Sequence, residues 1–134
     1  MQNPLRFPAA ALVLAGLVLG ACTVASGNGE SSGFEEKSSQ GEVSVRLTPR
    51  GVEEGQFLVE VRVDTHSGDL ADLDLQKATA LRVEGRTYRP TKAVRLGGHH
   101  SSGTLAFAVP EAPAQFEIVI SGVRSMADVT FRWP

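Results

Sequence analysis

The chain has 134 residues, room for one domain of ordinary size. Its 13 Lys and Arg stand against 15 Asp and Glu, which excludes the basic surface that a nucleic-acid binder needs. At 42% apolar and 21% charged residues it reads as a globular protein with a core, and no run reaches the roughly 20 apolar residues of a permanent membrane span.

The first feature along the chain is a leader. Arg6 supplies a positive start, and Ala9 to Leu19 is an apolar stretch of signal-peptide length. It ends in Leu19-Gly20-Ala21-Cys22, and Cys22 is the only cysteine. Leucine, two small residues and a cysteine directly after an apolar run resemble the lipobox of bacterial lipoproteins. The resemblance implies that residues 1–21 are a cleaved signal peptide and that the sulfur of Cys22 carries a diacylglyceryl group. It places the protein in the bacterial cell envelope, attached to the membrane through its lipid. Thr23, standing where an aspartate would signal retention, favours the outer membrane. Several acyl chains at about 0.8 kcal/mol per buried CH₂ make a lasting anchor. With no second cysteine there is no disulfide, so the fold must stand on its core.

Residues 22–41 follow as a lipidated cysteine and a tether. The run TVASGNGESSGFEEKSSQG is rich in Ser, Gly and Glu and offers little beyond Phe34 to bury. Such a segment cannot offset its ordering entropy and is expected to be flexible, with docking of a few residues near Phe34 on the domain as the alternative.

From Glu42 to Pro134 the pattern changes to period two. Val43, Val45 and Leu47 alternate with polar residues, and Pro49-Arg50-Gly51 breaks the run. Phe57, Val59, Val61 and Val63 alternate with Leu58, Glu60, Arg62 and Asp64. The same rhythm recurs around Leu81, Leu105, Phe107, Phe116, Ile118, Ile120, Phe131 and Trp133. Alternation marks antiparallel strands with one buried face. Strands are predicted over 42–48, 56–64, 79–84, 92–96, 103–109, 115–121 and 128–133. About seven strands in one domain over 42–134 predict an all-β fold, an immunoglobulin-like antiparallel sandwich, with a small barrel as the alternative. The piece DLADLDLQK at 69–77 reads as a short helical turn capped by Ser67 or Asp69, or as an irregular crossover.

All three histidines fall at strand ends. Asp64-Thr65-His66-Ser67 closes the second predicted strand, and Gly97-Gly98-His99-His100-Ser101-Ser102-Gly103 opens the fifth. In an immunoglobulin-like order these strands are antiparallel neighbours, so their ends share a rim. The loop SGVRSMA at 121–127 reaches the same rim. His66, His99 and His100, with Asp64 and Met126, would then gather there, with Ser67, Gly97 and Gly98 around them. Imidazoles on adjacent loops suit zinc or copper, and a thioether tips the balance toward copper. The competing expectation makes the histidines structural, with His66 bonding the backbone of the glycine loop. The THS and GGHHSSG stretches also resemble an uncharacterised family of secreted bacterial sandwich domains, a likeness implying that the rim matters without naming its chemistry.

Two other clusters are weaker. Asp69, Asp72 and Asp74 lack the ligand spacing of a calcium loop. Arg82, Arg86, Arg89, Lys92 and Arg95 read as the solvated face of an edge strand, where charge blocks sheet-to-sheet association. No nucleophile elbow, phosphate loop or dinucleotide fingerprint is present, so a non-catalytic module is expected. It is expected to be monomeric and to bind a partner protein of the envelope.

Overall fold

A computed structural model describes residues 33–134; the leader and Cys22 lie outside the described residues. The described chain is all-β. Eight strands form: β1 Lys37–Ser39, β2 Val43–Glu53, β3 Gln56–Thr65, β4 Thr79–Val83, β5 Arg86–Tyr88, β6 His100–Phe107, β7 Phe116–Ile120 and β8 Val129–Trp133. They make two antiparallel four-stranded sheets, ordered β1-β2-β3-β6 and β5-β4-β7-β8. The alternating apolar residues of both sheets meet between them. Leu47, Phe57, Val59, Val61, Val63, Leu81, Leu105, Phe107, Ile118 and Ile120 are fully buried. Each such side chain contributes about 1.5–3 kcal/mol through the water-accessible area it loses.

The strand ladder departs from the sequence expectation at three places. First, β2 runs through Pro49-Arg50-Gly51 instead of breaking there. The register shifts between Pro49 and Gly51, so that Arg50 is the extra residue of a bulge, and Gly51 supplies a φ of 100°. Proline, which has no N–H to donate, is tolerated at such a bulge.

Second, the ordered domain begins before Glu42. Lys37, Ser38 and Ser39 pair with Leu47, Arg46 and Val45, within the stretch expected to be tether. The cause is one aromatic side chain. Phe34 packs edge-on against Phe57 and Phe116, with ring centroids 5.9 and 5.5 Å away. Trp133 stacks on Phe116 and donates its indole N–H to the carbonyl of Glu35 at 2.6 Å. Burying that ring offsets the entropy of ordering the few residues around it.

Third, 92–96 is not a strand. Lys92 bridges Ala106, but no backbone–backbone hydrogen bond reaches 93–96 among the described residues. Val94 turns its side chain under β6 at Gly103. A Cβ on Gly103 would lie 2.5 Å from Val94 Cβ. The wedge holds this backbone out of the ladder. Its far end is clamped by Ser101, whose hydroxyl donates to Gly97 O (2.7 Å) and accepts from Gly97 N–H (3.0 Å). A strand the sequence did not announce, β5, forms instead at the edge of the other sheet, joined to β4 by Glu84-Gly85.

Strand directions define two ends. At one lie the two-residue hairpin turns Glu54-Gly55 and Glu84-Gly85, each with both residues at positive φ as primed turns require, together with 108–115, Phe34 and Pro134. At the other lie 65–74, 97–99 and 121–128. The ten residues of β3 separate the ends by roughly 30 Å at about 3.3 Å per residue.

Gly103→Ala is therefore expected to cost about 1–3 kcal/mol, because Val94 and the backbone around it must shift. Gly97→Ala, where an added Cβ meets nothing within 4 Å, should cost far less. Thermal denaturation of the two variants measures the difference.

Candidate functional site

The pairing of β3 with β6 delivers the two histidine segments to one rim, as the sequence predicts. Asp64 lies directly opposite His100. Val63 and Thr65 point inward and are buried, so Asp64 between them points out. His100 Nδ1 and Asp64 Oδ1 are 2.6 Å apart, in a pair whose side chains are 78% and 39% exposed. A hydrogen-bonded pair so open to water contributes little stability. Arg62, Ser101 and Ser102 line a shallow hollow of about 290 Å³ beside it. Ser102 shares that face, but no hydrogen bond joins its hydroxyl to the imidazole. The contact that would activate a serine nucleophile is therefore not formed.

The rim is held together by groups other than the imidazoles. Thr65 is 3% exposed. Its hydroxyl donates to Ser67 O at 2.8 Å, with Glu42 O also within 3.2 Å, and accepts from Ser67 N–H. Its own N–H donates to His99 O at 2.9 Å. One turn later, Leu70 N–H donates to Gly98 O at 2.9 Å. Asp69 Oδ1 accepts from Ala71 N–H (2.8 Å), capping the 3₁₀ turn Leu70–Asp72, and from Gly98 N–H (2.9 Å). Gly98 sits at φ 64°, a conformation glycine adopts without cost. Thus 65–70 grips the glycine loop through two backbone N–H groups and one carboxylate. The bond expected from His66 to that loop does not form.

The third loop locks onto the same place. Arg124 donates to Ser67 O (3.1 Å) and Asp69 O (3.0 Å), and its guanidinium lies 3.7 Å from Asp72. Ser67 donates its hydroxyl to Glu42 at 2.8 Å. Hydrogen bonds from Ser125 and Ser67, helped by nearby Arg124, hold the Glu42 carboxyl below its ordinary pKa. Asp69 is likewise lowered, chiefly by the N–H groups of Ala71 and Gly98, with the charges of His99 and Arg124 adding to them. On the outer face of the second sheet, Glu117 is lowered by hydrogen bonds from Arg82 and Arg132.

The metal constellation does not assemble as expected. Among the described residues, no group of three or more His, Cys, Asp or Glu side chains is arranged to hold an ion. His100 is turned to Asp64. His66 is exposed and makes no hydrogen bond or ion pair among the described residues, and His99 is exposed with its imidazole out of hydrogen-bond reach of any neighbour. Met126 is no ligand arm: its sulfur packs against Gly41, where an added Cβ would lie 2.9 Å away, and its side chain joins the edge of the core. The aspartates of 69–77 are occupied as well. Asp69 and Asp74 cap helical turns, the latter the helix α1 at Leu75–Ala78.

Sequence reasoning did not single out Thr65 or Arg124, the residues that build the rim. Thr65 carries a signal in hindsight. It occupies a position of inward parity, continuing Val61 and Val63, and a hydroxyl placed there must find partners. Arg124 carries no comparable signal.

No protein-family model, curated protein or solved structure matches the chain. Among the described residues no helix is long and apolar enough to cross a membrane.

Thr65→Val keeps the shape and deletes the hydroxyl, and it should cost about 1–3 kcal/mol by stranding its partners. His66→Ala should stay within about 0.5 kcal/mol of the parent. Chemical denaturation separates these outcomes. The lowered carboxyls also set a pH dependence. A group whose folded pKa lies below its unfolded one contributes stability above the ordinary carboxyl range, near pH 4, and loses it as pH falls through the folded value. The melting midpoint should therefore fall below about pH 4, with a shallower fall in Asp69→Asn, which no longer titrates there.

Proposed function

We propose that this chain is a lipid-anchored protein of the bacterial cell envelope, a non-catalytic interaction module whose histidine-bearing rim contacts a partner protein. The anchor rests on the lipobox-like Leu19-Gly20-Ala21-Cys22, with Thr23 favouring the outer membrane. The immunoglobulin-like assignment draws support from the strand order: the strands starting at 43, 56 and 100 share one sheet, and those starting at 79, 116 and 129 share the other.

One observation carries the contact reading. The rim is pinned by Thr65, Asp69, Ser101, Arg124 and backbone groups, so the imidazoles of His66 and His99 are not spent on holding it. The backbone that carries the two exposed rings is already fixed, so contact would cost the ordering of the side chains but not of the loops. The zinc or copper version of the reading needs three imidazoles to converge, which would take a rearrangement of this pinned rim.

In cells, changing Cys22 to Ser should move the protein from the membrane to the soluble fraction. A photo-cross-linker at Ser121, on the rim, should capture one partner, and combining His66→Ala with His99→Ala should abolish that adduct while leaving the melting midpoint unchanged. An adduct that survives the double substitution overturns the assignment of the contact to the histidines.

A further inference from the structure

Residues 70–76 and 90–98 run past each other without pairing. Leu70 N–H donates to Gly98 O at one end (2.9 Å), and Gln76 Nε2 donates to Pro90 O at the other. The early residue of one segment meets the late residue of the other, so the two are antiparallel. Between these ties no backbone hydrogen bond joins them, and a cleft of about 500 Å³ separates 71–76 from 93–96. That volume lies within the roughly 300–1,000 Å³ of ordinary ligand sites.

The wall at 93–96 is an unpaired strand edge. Val94 packs inward at Gly103, Arg95 is exposed and Leu96 is buried, the alternation of an extended chain. Yet the N–H and C=O groups of Ala93, Val94, Arg95 and Leu96 have no hydrogen-bond partner among the described residues. Lys92 and Gly97 tie the run to β6 on one side, which leaves its other side facing the cleft. Backbone groups of an extended chain point alternately to either side, so alternate residues present an N–H and a C=O there. Buried Leu75 and Leu96, with half-buried Leu73, Ala93 and Val94, give the cleft an apolar lining. Its charge is positive. Arg95 and the adjoining Lys92 are exposed and make no ion pair among the described residues. The acid of the lining, Asp74, already accepts from Gln76 N–H and lies 3.7 Å from Lys77.

We propose that this cleft is a second binding site, which takes an extended acidic peptide segment of a partner protein by strand addition. The segment's N–H and C=O groups pair with those of 93–96 and supply the rungs that the run lacks. One apolar side chain of the segment enters the lining between Leu73 and Val94. The next side chain points the opposite way, to the mouth, where an Asp or Glu meets Arg95. An acyl chain could fill the same lining, but it would leave the backbone groups unsatisfied. The site goes beyond the histidine rim and rests neither on it nor on Cys22.

The test pans random heptapeptides displayed on phage against the purified full chain. Enriched sequences should carry an Asp or Glu next to an aliphatic residue. At saturation, a synthetic peptide of the enriched sequence should slow amide hydrogen exchange at 93–96 by at least about ten-fold, because each new backbone bond must open first. Methylating alternate backbone nitrogens of that peptide removes about two hydrogen bonds and should weaken binding about ten-fold. Arg95→Glu should weaken it by about five-fold or more. Ala71→Trp, at an exposed position on the facing wall, should abolish it by filling the cleft. Both variants should keep the parent's melting midpoint, and combining His66→Ala with His99→Ala should leave peptide affinity unchanged. The proposal is overturned if no peptide is enriched, if binding survives both Ala71→Trp and Arg95→Glu, or if binding brings no protection at 93–96. Palmitate bound in the cleft in place of any peptide overturns it as well, and makes the cleft a lipid site.

Discussion

The pairing of β3 with β6 is the constraint on which everything else depends. It aligns eight consecutive residue pairs, from Phe57 opposite Phe107 to Asp64 opposite His100. The two strands lie far apart in sequence, and β4, β5 and the crossovers fill the interval. The register has no freedom. Slipping by one residue would drive Glu60, Arg62 and Asp64 into the core and expose Val59, Val61 and Val63. The same alternation that buries the valines therefore fixes which imidazole meets which carboxylate at the rim.

Above that ladder, holding and presenting are assigned to different groups. A buried threonine hydroxyl, an aspartate cap, a serine clamp and an arginine from a third loop do the holding. Each satisfies backbone groups that the change from strand to loop would otherwise leave unpaired. Three histidines stand outside this network or at its margin. Such a division resembles binding loops generally, where a rigid scaffold carries side chains that the fold does not need.

Much of this was legible in the sequence because hydrophobic alternation is a strong signal. The buried faces of β2, β3, β4, β6, β7 and β8 follow from it, as does the neighbourhood of Asp64 and His100. What was not legible has physical causes. β1 is three polar residues held by Phe34 and a Trp133 bond, and no local pattern announces a strand stabilised from 98 residues away. The piece at 92–96 has strand-like residues, yet Val94 fits the space left by Gly103, a match between positions that periodicity does not register. Convergence of three imidazoles was the hardest expectation to make. Topology brings segments together, but side-chain parity and the preference of His100 for Asp64 decide where the rings turn.

The run at 93–96 has an implication for how this molecule can diversify. It is fastened at both ends, by Lys92 to Ala106 and by Ser101 to Gly97, and it contributes no rung to either sheet. It also walls a cleft of about 500 Å³ opposite 71–76. Val94 fills the space beside Gly103, Leu96 is buried in the core and Ala93 packs against it, so drift in identity without disturbing the interior is confined to Arg95. Evolutionary tinkering with the cleft therefore has one ready position on this wall, the exposed Arg95.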